Sequence, residues 1–149
     1  MIRRATPADA DAIAAVQARA WRHAFADIVE PDRMPVASEQ GPRLAEHIGG
    51  GGEVHVFDQD GRIAGFAVLA GDRLHALYVD PPAQGAGVGT ALLGAAVDAL
   101  RAAGHVEAFL WTFEANGLAR AFYERRGWEL VSGHDDHLGA PEIRYRLVL

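Results

Sequence analysis

Three glycines at alternate positions, Gly85, Gly87 and Gly89, stand between an apolar run, Leu74–Val79, and a helical pattern that begins near Val88. Glycine lets a backbone bend sharply and lets a ligand approach it closely. Unpaired amides at a helix start attract anions. The loop after Val79 is therefore expected to hold phosphate. It is not a Walker loop, which needs Gly-Lys-Ser/Thr, because the chain has no lysine: all 14 basic residues are arginine. A Rossmann turn places G-x-G-x-x-G directly after a strand, with an acid about 20 residues on. Here Asp80 to Gln84 intervene, the spacing is G-x-G-x-G, and Glu107 falls at the wrong end of its strand. A turn that only eases packing of helix on sheet is the structural alternative. A second group, His134-Asp135-Asp136-His137, has metal-binding residue types. No second ligand cluster at a known spacing accompanies it, so it reads as a solvated turn that can share in an acceptor pocket, and no metal is expected.

The elements that must position these residues follow from pattern and punctuation. Ile2–Ala5 reads as a strand, and Thr6-Pro7-Ala8-Asp9 as a helix start. Ile13, Val16, Ala20 and Ala24 recur at helical spacing, until Pro31 and Pro35 end the pattern. A weaker helix is expected over Ser38–Ile48. Three strands in series, Glu53–Asp58, Arg62–Ala70 and Arg73–Val79, are divided by turns at Asp60-Gly61 and Gly71-Asp72. A helix over Gly87–Ala103 closes at Gly104, and one over Asn116–Arg126 closes at Gly127. Val106–Trp111, Trp128–Ser132 and Glu142–Leu149 complete the strands, with Gly133–Ala140 read as a loop. The order β, α, α, β, β, β, α, β, α, β, β implies an α/β fold: a mixed sheet, antiparallel in its middle, with helices on both faces. One domain over residues 1–149 is expected.

Composition narrows the chemistry. The chain has no cysteine, which removes disulfides, thiolate metal sites and cysteine nucleophiles together. Without lysine there is no Schiff base. A net charge of −6 with no basic cluster argues against nucleic acid as a partner. No apolar run is long enough to span a membrane, and the first residues lack the apolar core of a signal peptide, so a cytoplasmic location and no membrane partner are expected.

Two stretches carry a resemblance. Gln84-x-x-Gly87-x-Gly89, preceded by Ala-Leu-Tyr-Val-Asp-Pro, resembles the pyrophosphate loop of the GCN5-related N-acetyltransferases (GNAT). Asn116-Gly-Leu-Ala-Arg-Ala-Phe122-Tyr123-Glu-Arg-Arg-Gly127-Trp128 is similar to their second signature, N-x-x-A-x-x-F-Y-x-x-x-G-F/W. The opening strand with its helix start, and the final strand around Pro141–Arg146, also resemble bacterial members. The likeness thus covers nearly the whole chain. It implies the GNAT fold, with a splayed parallel strand pair, and acetyl-CoA as co-substrate. The activity implied is transfer of an acetyl group to a primary amine of a small molecule or amino acid, by direct attack in a ternary complex. A non-catalytic acyl-CoA sensor of the same fold is the alternative.

The resemblance also implies roles. Backbone groups of Leu77, Tyr78 and Val79 would pair with the pantetheine arm, the Val79 amide serving as oxyanion donor. The segment Gln84, Gly85, Ala86, Gly87, Val88, Gly89 and Thr90 would cradle the pyrophosphate. Asn116 would bond the arm or cap its helix, and Ala119 and Phe122 would flank it. Tyr123 would protonate the leaving thiolate. Some relatives place a glutamate early on the strand entering the loop; Arg73 stands near that position here, so His75, sharing a face with Leu77 and Val79, is the candidate base. Trp21, Arg22, Phe25 and the loop through Met34 would wall the acceptor pocket. A homodimer through the last strands is plausible from the same likeness.

Overall fold

The computed structural model describes the backbone of residues 1–149 and every side chain except those of Ser132, Gly133 and His134. The strands are β1 (Ile2–Arg4), β2 (Glu53–Gln59), β3 (Arg62–Ala70), β4 (Arg73–Val79), β5 (Glu107–Phe113), β6 (Glu129–His137) and β7 (Ala140–Val148). The helices are α1 (Ala10–Ala24), α2 (Ala37–Gly49), α3 (Val88–Ala102) and α4 (Gly117–Glu124). The element order is the expected one. Seven strands form one sheet in the order β1-β2-β3-β4-β5-β7-β6. Every neighbouring pair is antiparallel except β4 and β5.

That parallel pair scarcely exists. Its register holds only Arg73 opposite Phe109, supported by the Phe109 amide on the Asp72 carbonyl at 3.0 Å. Beyond this point the two strands diverge, leaving the far half of β4 without a partner on one edge. An internal unpaired edge is costly unless something covers it.

Each face of the sheet carries its own core. Helices α3 and α4 pack Val88, Leu92, Ala96 and Tyr123 against Ala67, Leu74, Leu110 and Tyr145. On the other face, Ile13 and Val16 of α1 and Ile48 of α2 meet Val54, Val56, Phe66 and Val68. At one end of that face Trp21, Phe25, Val29 and Phe113 form a separate aromatic cluster. Gly41 allows α1 and α2 to touch, since a Cβ there would overlap Asp11 Oδ1.

One expectation is corrected. Residues read as a loop over Gly133–Ala140 extend strand β6 to His137, and β7 begins at Ala140. The turn is only Leu138-Gly139, both at positive φ (54° and 81°), the two-residue hairpin form whose twist matches its strands. Polar residues masked the strand because this ribbon lies at the sheet's edge and its alternation is not apolar–polar. The side chain of His134, part of the His-Asp-Asp-His group, lies outside the described residues.

Candidate active site

Strand β4 is the organiser. Val68 lies opposite Ala76 but Leu69 lies opposite Leu74, so His75 is an extra residue on β4, a bulge. A bulge re-aims the side chains on either side of it. Leu74 consequently joins Leu77 and Val79 in the α3-side core, while His75 is exposed and turned toward the α1–α2 side. The expected shared face of His75, Leu77 and Val79 is thus corrected: strict alternation does not survive an inserted residue.

Register also decides which β4 backbone groups are free. The Asp80 amide donates to the Ala64 carbonyl at 2.8 Å. In an antiparallel pair, hydrogen-bonded positions recur at every second residue. Tyr78, opposite Phe66, is therefore bonded to β3, whereas the amides and carbonyls of Leu77 and Val79 point into the gap beside β5. Tyr78 leaves the set of expected backbone donors and contributes its ring instead, packed among Trp21, Phe25 and Phe66. The side chains alternate as expected, Leu77 and Val79 to the α3 side and Tyr78 to the α1 side.

Past Val79 the chain is anchored by an ion cluster. Asp80 is wholly buried and takes two bonds of 2.9 Å from Arg19 of α1 and one of 3.4 Å from Arg62. These guanidiniums, Arg19 foremost, hold its carboxyl below the ordinary range. The glycine loop follows. Gly85 and Gly87 have φ of 82° and 84°, and Gly87 caps α3 in the left-handed region. Gly89 needs no special φ; a Cβ there would reach 3.5 Å from Val79. The first free amides of α3 thus open on the loop. Ala86 is exposed and faces away from the cavity, so its part there is confined to its backbone. Thr90 receives a 2.7 Å bond from Arg126, whose guanidinium lies 3.9 Å over the Phe122 ring.

Two cavities meet at the gap between β4 and β5. The first, about 610 Å³, runs along Leu77, Val79, the glycine loop, Ala119, Phe122 and Arg126. The second, about 960 Å³, lies on the opposite face, between α1, the Asp32–Val36 loop, α2 and the ends of β4, β5, β6 and β7. Phe25, Leu77, Tyr78, Asn116, Ala119 and Tyr123 line both. At this junction Tyr123 is buried, its phenol held well above its ordinary pKa by burial first and by Tyr78 second. It is therefore neutral at pH 7 and keeps its proton. Asn116 caps α4, its side-chain oxygen accepting from the Ala119 amide at 3.2 Å.

The remaining expectations divide. Trp21 and Phe25 line the larger cavity, and so does Met34; Arg22 is exposed, lines neither cavity, and is removed from the acceptor wall. Helical spacing explains this: one residue from Trp21 is a 100° turn away. His75 lines the larger cavity, but Arg73 donates to its Nδ1. Guanidinium only donates, so the neutral ring carries its proton on Nε2 and has no free lone pair for an incoming one. Its exposed edge notwithstanding, partial desolvation of the ring in the cavity wall, then Arg73, His47 and His137, lower its pKa. Asp135 and His137 do reach the larger cavity. Among the described residues no three His, Asp or Glu side chains are grouped to hold a metal ion. Sequence reading assigned no role to Arg126, Arg43, His47 and Glu142, which line the cavities: Arg126 fills a variable position of the second signature, Glu142 lies in the final strand, and Arg43 and His47 lie outside the recognised stretches.

Comparison with known proteins agrees with this geometry. The model of the acetyltransferase (GNAT) family matches residues 16–128. A probable N-acetyltransferase of Mycobacterium tuberculosis is 27% identical, with 98% of this chain and 92% of that protein covered. The crystal structure of a GCN5-related N-acetyltransferase from Rhodopseudomonas palustris superposes with a TM-score of 0.86 at 23% identity, covering 100% of this chain and 95% of that one. The PaiA N-acetyltransferase of Thermoplasma acidophilum, determined in complex with coenzyme A, gives 0.79 at 18% identity, covering 97% and 96%. With its splayed β4–β5 pair, its glycine loop at the start of α3 and this family match, the chain belongs to the GNAT acetyltransferase family.

Proposed function

We propose that the protein is an N-acetyltransferase that moves an acetyl group from acetyl-CoA to a primary amine of a small molecule or amino acid by direct attack in a ternary complex. The observation that carries this reading is the junction of two cavities at Tyr123, one on each face of the sheet. The residues fit the donor. The amides of Leu77 and Val79 and the carbonyl of Leu77 offer an unpaired strand edge to an amide-containing arm, while the Val79 carbonyl accepts from the exposed Gln84 side chain at 3.3 Å. The left-handed Gly85 and Gly87, the open α3 terminus and Arg126 suit a diphosphate.

Acetyl-CoA, when bound, supplies the activated acyl carbon. The Val79 amide, aimed into the gap, is the donor placed for the oxygen that gains charge during attack. Tyr123, neutral and without a protein partner for its hydroxyl among the described residues, gives its proton to the departing sulfur. No cysteine or lysine is available as a covalent relay, which favours direct attack over a two-step transfer. Phe25, Tyr78 and Trp21 keep water from the junction.

Release of CoA thiol from acetyl-CoA, measured with pooled amines, tests the reading. The protein contributes no thiol of its own. Amine-dependent release supports it. Acetyl-CoA binding with no release for any amine favours the sensor alternative, and absence of binding rejects both.

A further inference from the structure

The acceptor-side cavity contains charges of both signs that form no ion pair among the described residues. Glu142 sits near the start of β7, opposite Phe113 on β5 and Asp135 on β6. It is half-buried, lines the cavity, and takes part in no ion pair or side-chain hydrogen bond among the described residues. Burial holds its carboxyl above the ordinary range, helped by Asp135 and opposed by His137 and Arg73. The same cavity is lined by the exposed Arg43 and His47, one turn apart on α2, by the half-buried Arg73 on β4, and by the exposed acids Asp32, Glu39 and Asp135. Neither arginine pairs with a carboxylate among the described residues. Glu39, one turn before Arg43, does not close on it, and the side-chain partner of Arg73 is the neutral His75. Two other buried or half-buried carboxylates are paired, Asp9 with Arg3 (2.8 Å) and Asp80 with Arg19 (2.9 Å).

A half-buried charge left without an ion pair, as Glu142 and Arg73 are, is costly, and the cost falls when a ligand brings the opposite sign. A ligand with one charge would relieve one of the two half-buried groups and leave the other. A polyamine would add cations beside Arg43 and Arg73, and a peptide N-terminus carries no carboxylate near its nitrogen. We infer that the acceptor is a zwitterion, an amine with a carboxylate a few bonds away, its ammonium on Glu142 and its carboxylate on the Arg43–Arg73 wall. This rests on the N-acetyltransferase reading and names its substrate class. The guanidinium fork suits a carboxylate in the required way, and a cavity of about 960 Å³ has room for a free amino acid with its side chain.

Glu142 is then also the base. The ammonium gives one proton to its carboxylate, and the freed nitrogen forms the C–N bond as the C–S bond breaks. Tyr123 protonates the sulfur, and the nitrogen's second proton restores the phenol. One proton stays on Glu142 and passes to solvent, so charge and atoms balance.

The test titrates the CoA-bound protein calorimetrically with free amino acids, their methyl esters and their decarboxylated amines, and assays the same compounds for thiol release with acetyl-CoA. The expected result is that at least one free amino acid binds and is acetylated, with its ester and decarboxylated amine weaker by about tenfold or more, the scale of a charged hydrogen bond. Arg73→Met should remove that discrimination by raising KM, and Arg43→Met serves if the first variant misfolds. Glu142→Gln should lower kcat, leave acetyl-CoA affinity unchanged and remove the acid limb of the pH–rate profile. Acetyl-CoA binding without binding or acetylation of any amino acid overturns the inference. So does equal or better use of esters, polyamines or peptides, or a Glu142→Gln profile like the parent's. Failure to bind acetyl-CoA is a different result, which rejects the enzymatic reading itself.

Discussion

The two cavities that meet at Tyr123 are built by opposite means. The smaller runs along the end of β4, the Gln84–Thr90 loop, the start of α3, α4 and the end of α1, with the glycine loop's backbone at its centre. Its specificity is a matter of φ angles, unpaired amides and close approach. The larger draws side chains from many separate parts of the chain, and its specificity is a matter of charge and shape. A backbone site fixes one ligand chemistry across many sequences. A side-chain site is free to differ from one relative to the next, which is how a shared fold serves many acceptors.

The largest expected effect lies at the junction, the one place both regions share. Tyr123→Phe keeps the ring packed against Phe122 and Trp128 and removes only the hydroxyl. Turnover should fall by about 10²-fold or more, while acetyl-CoA affinity measured by calorimetry stays the same. Unchanged turnover takes Tyr123 out of the mechanism; affinity lost in parallel makes it a binding residue of the smaller cavity instead.

Asp80 couples the two regions structurally, because it ties α1, a wall of the acceptor cavity, to the strand end that begins the donor loop. Asp80→Asn leaves Arg19 and Arg62 without their buried partner and should cost about 3 kcal/mol by urea unfolding, the low end for a broken buried pair because both arginines remain partly in water. The folded-state pKa of Asp80 is depressed, so its stabilisation is present above the ordinary value of 3.8 and is lost as pH falls through the folded one. The variant's stability should therefore be flatter than the parent's in that acid window. An unchanged profile would mean that Asp80 is not the acid-sensitive tie.

How much of this was legible follows the same division. The donor side announces itself because left-handed turns demand glycine, here Gly85 and Gly87, and because Asn116, Phe122 and Tyr123 fall within one short helix and its cap. Sequence order also yielded all eleven helices and strands, each ended by proline, glycine or a turn. The acceptor side stayed dark. Glu142 and Arg43 are 99 positions apart in the numbering and meet only through sheet order and the α2 crossing. The bulge at His75 has no marker in the residues themselves, and it moved the one acceptor-side candidate that periodicity had placed. Arg22 failed for the simplest reason, that adjacency in sequence is not adjacency on a helix.

A smaller effect separates loop conformation from loop contacts. Gly87→Ala places a Cβ at φ 84° with no atom within 4 Å of it, so the cost is backbone strain rather than collision. About 1 kcal/mol of stability should be lost. Acetyl-CoA affinity should fall further than stability does, because the strained residue caps the helix whose amides face the loop. Equal affinity in parent and variant would show that those amides do not hold the phosphates.

The smallest effect has the opposite sign and sharpens the contrast most directly. Asp80 and Glu142 are both carboxylates in enclosed places, but one is paired and the other is not. Burial raises the Glu142 pKa in the folded state, so its stabilising contribution is present below the ordinary value of 4.5 and is lost as pH rises through the folded value. At neutral pH the ionised carboxylate is thus a burden on the empty protein, and Glu142→Gln should melt slightly higher than the parent. The gain should shrink toward acid pH, where the parent's carboxyl is protonated and resembles the amide. Thermal melts at pH 7 and pH 4.5 decide it. A variant that melts lower at pH 7 would mean that Glu142 is held by an internal cation, His137 or Arg73; the acceptor wall would then be neutralised by the protein itself, and no zwitterion would be needed to complete it.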